Sequence, residues 1–236
     1  MKRRNFLQKA SLSTIGVVAS TSVVACNANK EKNNSGSIVN SISVKPIVIA
    51  TWNVPNATAK AWEVINNGGT SLDAVEQGCM IEEADVKNSS VGKGGLPDRD
   101  GNVTLDACIM DKDGNYGAVM CVQNITHVIS LARKVMEQTP HVILAGEGAE
   151  KFGYDLGFIK ENLLTESSKK AWEKWKETSN YNPIINIENH DTIGMLAIDI
   201  NGDISGACTT SGLSYKMAGR VGDSPIIGSG LFIDNE

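Results

Sequence analysis

The residues best suited to chemistry lie late in the chain. His190-Asp191-Thr192-Ile193-Gly194 brings an imidazole, a carboxylate and a hydroxyl together in one short run. A threonine hydroxyl is a poor nucleophile unless a base sits beside it. Downstream, Thr209-Thr210-Ser211-Gly212 supplies further hydroxyls, and Arg220-Val221-Gly222-Asp223-Ser224-Pro225 follows. A guanidinium fork is well shaped to grip a carboxylate. Each piece also has a plainer reading. Thr192 suits the first position of a strand, where β-branched residues belong, and Arg220 and Asp223 would serve equally as a surface ion pair. The glycine-rich SVGKGG of residues 90–95 is not a phosphate loop, because its glycine spacing is wrong and no Lys-Ser/Thr follows. No Cys or His pair has zinc spacing, so neither a metal nor a cofactor is expected.

These residues need a scaffold, and hydrophobic patterning outlines one. Residues 45–52 (KPIVIATW) form a β-branched run that reads as a buried strand, with Trp52 as core. Residues 56–66 read as a helix. Ser71 is a plausible N-cap for the next, whose inner face would be Leu72, Val75, Cys79 and Ile81. Residues 89–100 form a glycine-rich loop. Residues 103–110 and 116–122 read as strands joined by a turn at Asp113-Gly114-Asn115. A helix over 128–138, a strand over 141–144 and helices over 149–156 and 165–178 follow. Residues 192–200 and 204–210 then form strands around the turn Asn201-Gly202-Asp203. Helices thus lie between two sets of hairpin strands. That order predicts an α+β fold of antiparallel sheets with helices packed outside.

Taken together, HDTIG, TTSG and GRVGDSP resemble the glycosylasparaginases, within the N-terminal-nucleophile hydrolases. KPIVIATW, SLDAVEQGC, SSVGKGG, VTLDACIMD, ARKVMEQTPHV and ENHD resemble segments of that family in the same order, so the likeness runs from Lys45 to the end of the chain. It implies a four-layer αββα sandwich of N-terminal-nucleophile hydrolase type. Residues 45–191 would be the α-subunit part and residues 192–236 the start of the β-subunit part. Relatives continue past the position of Glu236, so the C-terminal part is expected to be missing from this chain.

The resemblance also implies a chemistry. The peptide bond between Asp191 and Thr192 would break by attack of the Thr192 hydroxyl, with the Asp191 carboxylate handling the proton and His190 as a neighbour. Thr192 then gains a free α-amine, with a pKa of roughly 8, as its own general base. Thr210 would hydrogen-bond this nucleophile. Arg220 would grip a substrate α-carboxylate, Asp223 would hold the α-ammonium, and Trp52 and Ser90 would line the substrate side. The implied substrate is N4-(β-N-acetylglucosaminyl)-L-asparagine. The alternatives are an isoaspartyl peptidase or plant-type asparaginase, against which the His-Asp-Thr triplet argues, and a non-catalytic exported lipoprotein. Cleaved α/β protomers of this kind are expected to assemble as homo-oligomers.

The chain has 236 residues, 41% of them hydrophobic and 21% charged, enough to bury a core. A formal net charge of -5 and the lack of a basic face argue against nucleic acid as a partner. Residues 1–25 read as a signal peptide, in which Arg3-Arg4 resembles a twin-arginine motif. Val23-Val24-Ala25-Cys26 resembles a lipobox, with Cys26 as a lipid anchor. Residues 26–44 read as a flexible tether. An exported, periplasmic protein is therefore expected. Cys79, Cys108, Cys121 and Cys208 read as buried free thiols, not as a disulfide framework.

Overall fold

A computed structural model describes residues 45–179 and 192–235. The expected signal peptide, the expected tether with Cys26, and His190 and Asp191 lie outside the described residues.

The helices form where a stripe of small or apolar residues can face the sheet. Helix α1 (Pro55–Asn66) opens on Pro55, whose missing N–H costs nothing at a helix start. It buries Ala57, Ala61 and Ile65. Helix α2 (Ser71–Ala84) is capped by Thr70, not by Ser71 as expected: the Thr70 hydroxyl accepts from the Asp73 N–H, and the Asp73 carboxylate accepts in return from the Thr70 N–H. This capping box satisfies two orphan donors at once. Its inner face also differs from the expected stripe. Val75 and Cys79 are buried beside Ala74 and Gly78, while Ile81 is exposed and Leu72 only half-buried. The helix turns its small residues inward because it approaches the sheet closely. A Cβ on Gly78 would lie 2.5 Å from the Met195 sulfur.

Six strands make one sheet: β1 (Ile47–Ala50), β2 (Leu105–Met110), β3 (Tyr116–Val122), β4 (Ile143–Ala145), β5 (Ile193–Ile198) and β6 (Ile204–Thr210). Their order is β1-β5-β6-β2-β3-β4. Both expected hairpins are present, β2–β3 and β5–β6. They join through β2 and β6 into a single sheet, which corrects the reading of separate sets. The sheet is also mixed. Helix α3 (Val128–Gln138) carries the chain across from β3 to β4, which runs parallel to β3. Strand β1 pairs only with β5 among the described strands, and Ile47 and Ile49 are 46% and 53% exposed. It is an edge strand and not the buried one its β-branched run suggested.

Helices α1, α2, α3 and α4 (Gly146–Asp155) pack on one face of the sheet. Leu105, Ala107, Ile109, Val119, Ile193, Met195 and Ala207 point into that core. Each large side chain buried there contributes about 1.5–3 kcal/mol. The opposite face carries a smaller cluster of Cys108, Met110, Ala118 and Cys208, covered by Leu231 and Ile233. Helix α5 (Glu166–Thr178) does not join the sheet. It pins the glycine-rich loop instead: the Ser168 hydroxyl donates to the Gly94 carbonyl at 2.5 Å, and the Trp172 indole N–H to the Arg99 carbonyl at 3.1 Å. All four described cysteines are free, and Cys79, Cys108 and Cys208 are buried. Cys121 departs from the expected core position. It is only half-buried and adopts φ +54° at the β2–β3 register shift. No helix among the described residues is long and apolar enough to cross a membrane.

Candidate active site

Side chains alternate along a strand, and this fixes which groups meet. Ile193 pairs with Thr209 across β5 and β6. Position 192 therefore lies across from Thr210, on the sheet face away from the helices. Thr210 in turn pairs with Asp106 of β2. Residues directly opposite one another in an antiparallel pair share a face, with Cβ atoms about 4.5–5.5 Å apart. Thr192, Thr210 and Asp106 thus form one row, with Cys208 and Cys108 in the row beside it.

Thr192 is held at two atoms. Its carbonyl accepts from the Thr51 hydroxyl at 3.0 Å and from the Trp52 indole N–H at 2.9 Å. Thr51 Oγ1 also accepts from the Gly194 N–H, and the Thr51 N–H donates to the Gly194 carbonyl, both at 3.0 Å. The end of β1 thereby clamps residues 192–194. Trp52 is 54% exposed, so it is not the core residue its apolar context suggested. The Thr192 hydroxyl lies 3.0 Å from the Ser224 hydroxyl.

The glycine-rich loop supplies the next wall. The Ser90 carbonyl accepts from the Ser211 N–H at 2.8 Å and from the Thr210 hydroxyl at 3.4 Å. Thr210 Oγ1 also accepts from the Gly212 N–H at 2.9 Å. Glycine is required where this loop turns back on α2: Gly92 sits at φ +63°, and any Cβ there would collide with the Glu83 backbone. A small cavity of about 170 Å³ opens beside Thr192, lined by Trp52, Val54, Asn88, Ser90, Val91 and Ile193. A larger cavity of about 660 Å³ lies elsewhere, lined in part by Asp98, Cys121, Glu150 and Tyr154, and none of the sequence-derived candidates borders it.

Arg220 and Asp223 belong to the segment that crosses this sheet face after β6. Arg220 is half-buried and Asp223 exposed. The guanidinium lies against bare backbone: a Cβ on Gly222 would come within 3.0–3.2 Å of it, and one on Gly212 within 3.3 Å. Beneath it, Asp106 and Lys216 are buried almost completely. The Lys216 ammonium donates to the Ser211 carbonyl at 2.8 Å and to the Thr104 carbonyl at 3.3 Å. Burial holds the Lys216 ammonium below its usual range, against the pull of the Asp106 carboxylate. Burial also pushes the Asp106 carboxyl up, partly offset by the charge of Lys216, the Cys121 N–H and the charge of Arg220. Among the described residues no cluster of three or more His, Cys, Asp or Glu is arranged to hold a metal ion.

Of the residues singled out from sequence, Thr192, Trp52 and Ser90 share the cavity wall, and Thr210 is tied to Ser90. Arg220 and Asp223 do not line that cavity; they sit on the segment bearing Ser224. Asp191 and His190 lie outside the described residues. Sequence reading missed Ser224 and Thr51. Ser224 stands inside the quoted GRVGDSP string, yet nothing in the string says which of its members turns toward position 192.

The asparaginase family matches residues 32–236. An N(4)-(Beta-N-acetylglucosaminyl)-L-asparaginase of Elizabethkingia miricola is 54% identical over 235 residues, covering 99% of this chain and 67% of the relative. Proteins of the same name are 36% identical in Mus musculus, over 84% of this chain and 66% of the relative, and 38% identical in Rattus norvegicus, over 80% and 64%. The chain spans about two thirds of the length of these curated relatives.

Proposed function

The chain belongs to the asparaginase family of N-terminal-nucleophile hydrolases, on its glycosylasparaginase branch, and on that premise we propose that it forms part of an amidohydrolase with Thr192 as nucleophile. The substrate is N4-(β-N-acetylglucosaminyl)-L-asparagine, the compound for which the relatives are named. What most supports this reading is the register of β5 on β6, with position 192 opposite Thr210.

Activation comes first. Thr192 Oγ1 attacks the Asp191 carbonyl carbon, a C–O bond forms, and the 191–192 C–N bond breaks, the nitrogen taking up the hydroxyl proton. Water hydrolyses the ester and leaves Thr192 with a free α-amine. Asp191 assists the proton movement, with His190 beside it. In turnover Oγ1 attacks the side-chain amide carbon, and its proton passes to the α-amine and then to the departing nitrogen. The glycosylamine leaves, and water releases aspartate from the Thr192 ester. Thr210 hydrogen-bonds the nucleophile. Arg220 binds the substrate's α-carboxylate and Asp223 its α-ammonium, with Trp52 and Ser90 on the substrate side.

The sheet face left uncovered by the described helices supports a finer reading of the fold. Ile49, Leu196, Leu231 and Phe232 line an apolar groove of about 460 Å³ there. A second sheet packed on that face, with further helices outside it, completes the four-layer αββα sandwich. Export to the periplasm, a lipid anchor at Cys26 and assembly of cleaved protomers into a homo-oligomer belong to the same reading. The first two rest on the twin-arginine-like and lipobox-like strings of residues 1–26.

The test uses the full-length protein. It should run as two fragments, the smaller beginning at Thr192 by N-terminal sequencing, and release aspartate from the glycosylated asparagine faster than from β-aspartyl dipeptides. Thr192→Ala should abolish both events. A single uncut chain with no turnover would instead fit a binding lipoprotein, and preference for the dipeptides an isoaspartyl peptidase.

A further inference from the structure

We infer that Ser224 is a second hydroxyl, alongside Thr210, that orients the Thr192 nucleophile, a positioning residue for both self-cleavage and turnover. This rests on Thr192 acting as proposed above. The two hydroxyl oxygens lie 3.0 Å apart, within O–H···O hydrogen-bonding range. Ser224 is 2% exposed, so water does not compete for its hydroxyl.

A threonine hydroxyl has one proton and two lone pairs. During attack one lone pair must face the carbonyl carbon and the proton must face the base. The second lone pair needs a donor that locks the rotamer and stabilises negative charge on oxygen. The same donor is needed again when the ester breaks and Oγ1 departs. Ser224 can fill this role because its hydroxyl is buried and within hydrogen-bond distance of Thr192 Oγ1, so its proton can turn toward that oxygen.

The backbone around Ser224 is anchored on both sides. The Cys108 thiol donates to the Ser224 carbonyl at 3.1 Å. The Ile226 N–H donates to the Asp223 carbonyl at 2.8 Å and the Gly230 N–H to the Ile226 carbonyl at 3.0 Å, closing the turn. Gly230 packs so closely that a Cβ there would sit 2.7 Å from Ser224 Cα. These contacts hold the hydroxyl in one place before and after the chain is cut.

The experiment compares wild type, Ser224→Ala and Ser224→Thr in the full-length protein, with melting temperatures measured alongside. Ser224→Ala removes one oxygen and adds no bulk. It should slow both self-cleavage and kcat roughly 10- to 100-fold while KM changes less than about twofold. Ser224→Thr keeps the hydroxyl and should recover most of the lost rate. Wild-type cleavage and kcat in the alanine variant would overturn the inference and leave the proposed function standing. So would equal slowing in both variants that tracks their melting temperatures. A wild-type protein that neither cleaves nor hydrolyses would overturn the proposed function itself, and is recognised before any Ser224 variant is made.

Discussion

Position 192 shows how many contacts hold one candidate nucleophile in place. Its carbonyl takes two donors from the end of β1, and its hydroxyl faces Ser224. A chain terminus created by cleavage would otherwise fray, because terminal residues stay ordered only when tied down. Thr51→Val removes a hydroxyl that serves both Thr192 and Gly194. It should cost about 1–2 kcal/mol, or about 2–8 °C in melting temperature, readable by calorimetry. Arg220 calls for a different substitution. Lysine keeps the charge but lacks the planar fork, so Arg220→Lys should raise KM roughly 10- to 100-fold and leave self-cleavage intact. Blocked cleavage with unchanged KM would mean that the guanidinium serves the scissile bond and not the substrate.

Close approach of helix to sheet is the theme among the elements. Gly117 on β3 faces the α3 backbone, and an added Cβ would collide with the Ala132 carbonyl oxygen and come within 2.7 Å of the Met136 nitrogen. Neither neighbour can rotate away. Gly117→Ala should therefore destabilise the fold by about 2 kcal/mol or more, measured from the shift of the urea midpoint at constant slope. The α2 cap is a milder case: Thr70→Ala should cost about 0.5–2 kcal/mol. Gly230 belongs to the turn behind Ser224, where a Cβ would lie 2.5 Å from the Asp223 carbonyl oxygen. Gly230→Ala should push Ser224 off position 192 and slow self-cleavage, which a gel time course would record.

Across the whole molecule, one buried carboxyl ties the helix layer to strand β6, next to the candidate site. Glu83 of α2 is fully buried. Its Oε1 accepts from the Thr209 hydroxyl at 2.7 Å and from the Ile129 N–H at 2.9 Å, while Oε2 lies 3.4 Å from His127 Nδ1. Burial pushes the Glu83 carboxyl up, and the Glu83 contact pushes the His127 imidazole up, with Glu161 and Glu76 adding to the effect. Both folded-state values are raised above the ordinary 4.5 and 6.5. Each group therefore binds its proton more tightly folded than unfolded, and stability falls as pH rises through the raised values. Urea midpoints should decline from the mildly acidic side toward alkaline pH. His127→Gln should flatten the upper part of that decline; an unchanged profile would remove His127 from the account.

Local chemistry was legible in the residues themselves. The β5–β6 hairpin, the turn at Asn201-Gly202-Asp203 and the span of α3 follow from periodicity and turn residues, which act within a few positions of each other. The ordered strings around Thr192 pointed to the family for the same reason. What lay beyond reach depends on neighbours far apart in sequence. The Ile47–Ala50 run is as apolar as a central strand, and only the position of β1 beyond β5 makes it an edge. Trp52 reads as core until its indole is seen to reach the carbonyl of residue 192, 140 positions away. Ser224 had no signal apart from its string, because facing the Thr192 hydroxyl requires the chain after β6 to fold back across the sheet. Composition, periodicity and motif determined which chemistry the chain could carry; only tertiary structure decided which hydroxyls meet, since a hydrogen bond depends on distances that residue order does not contain.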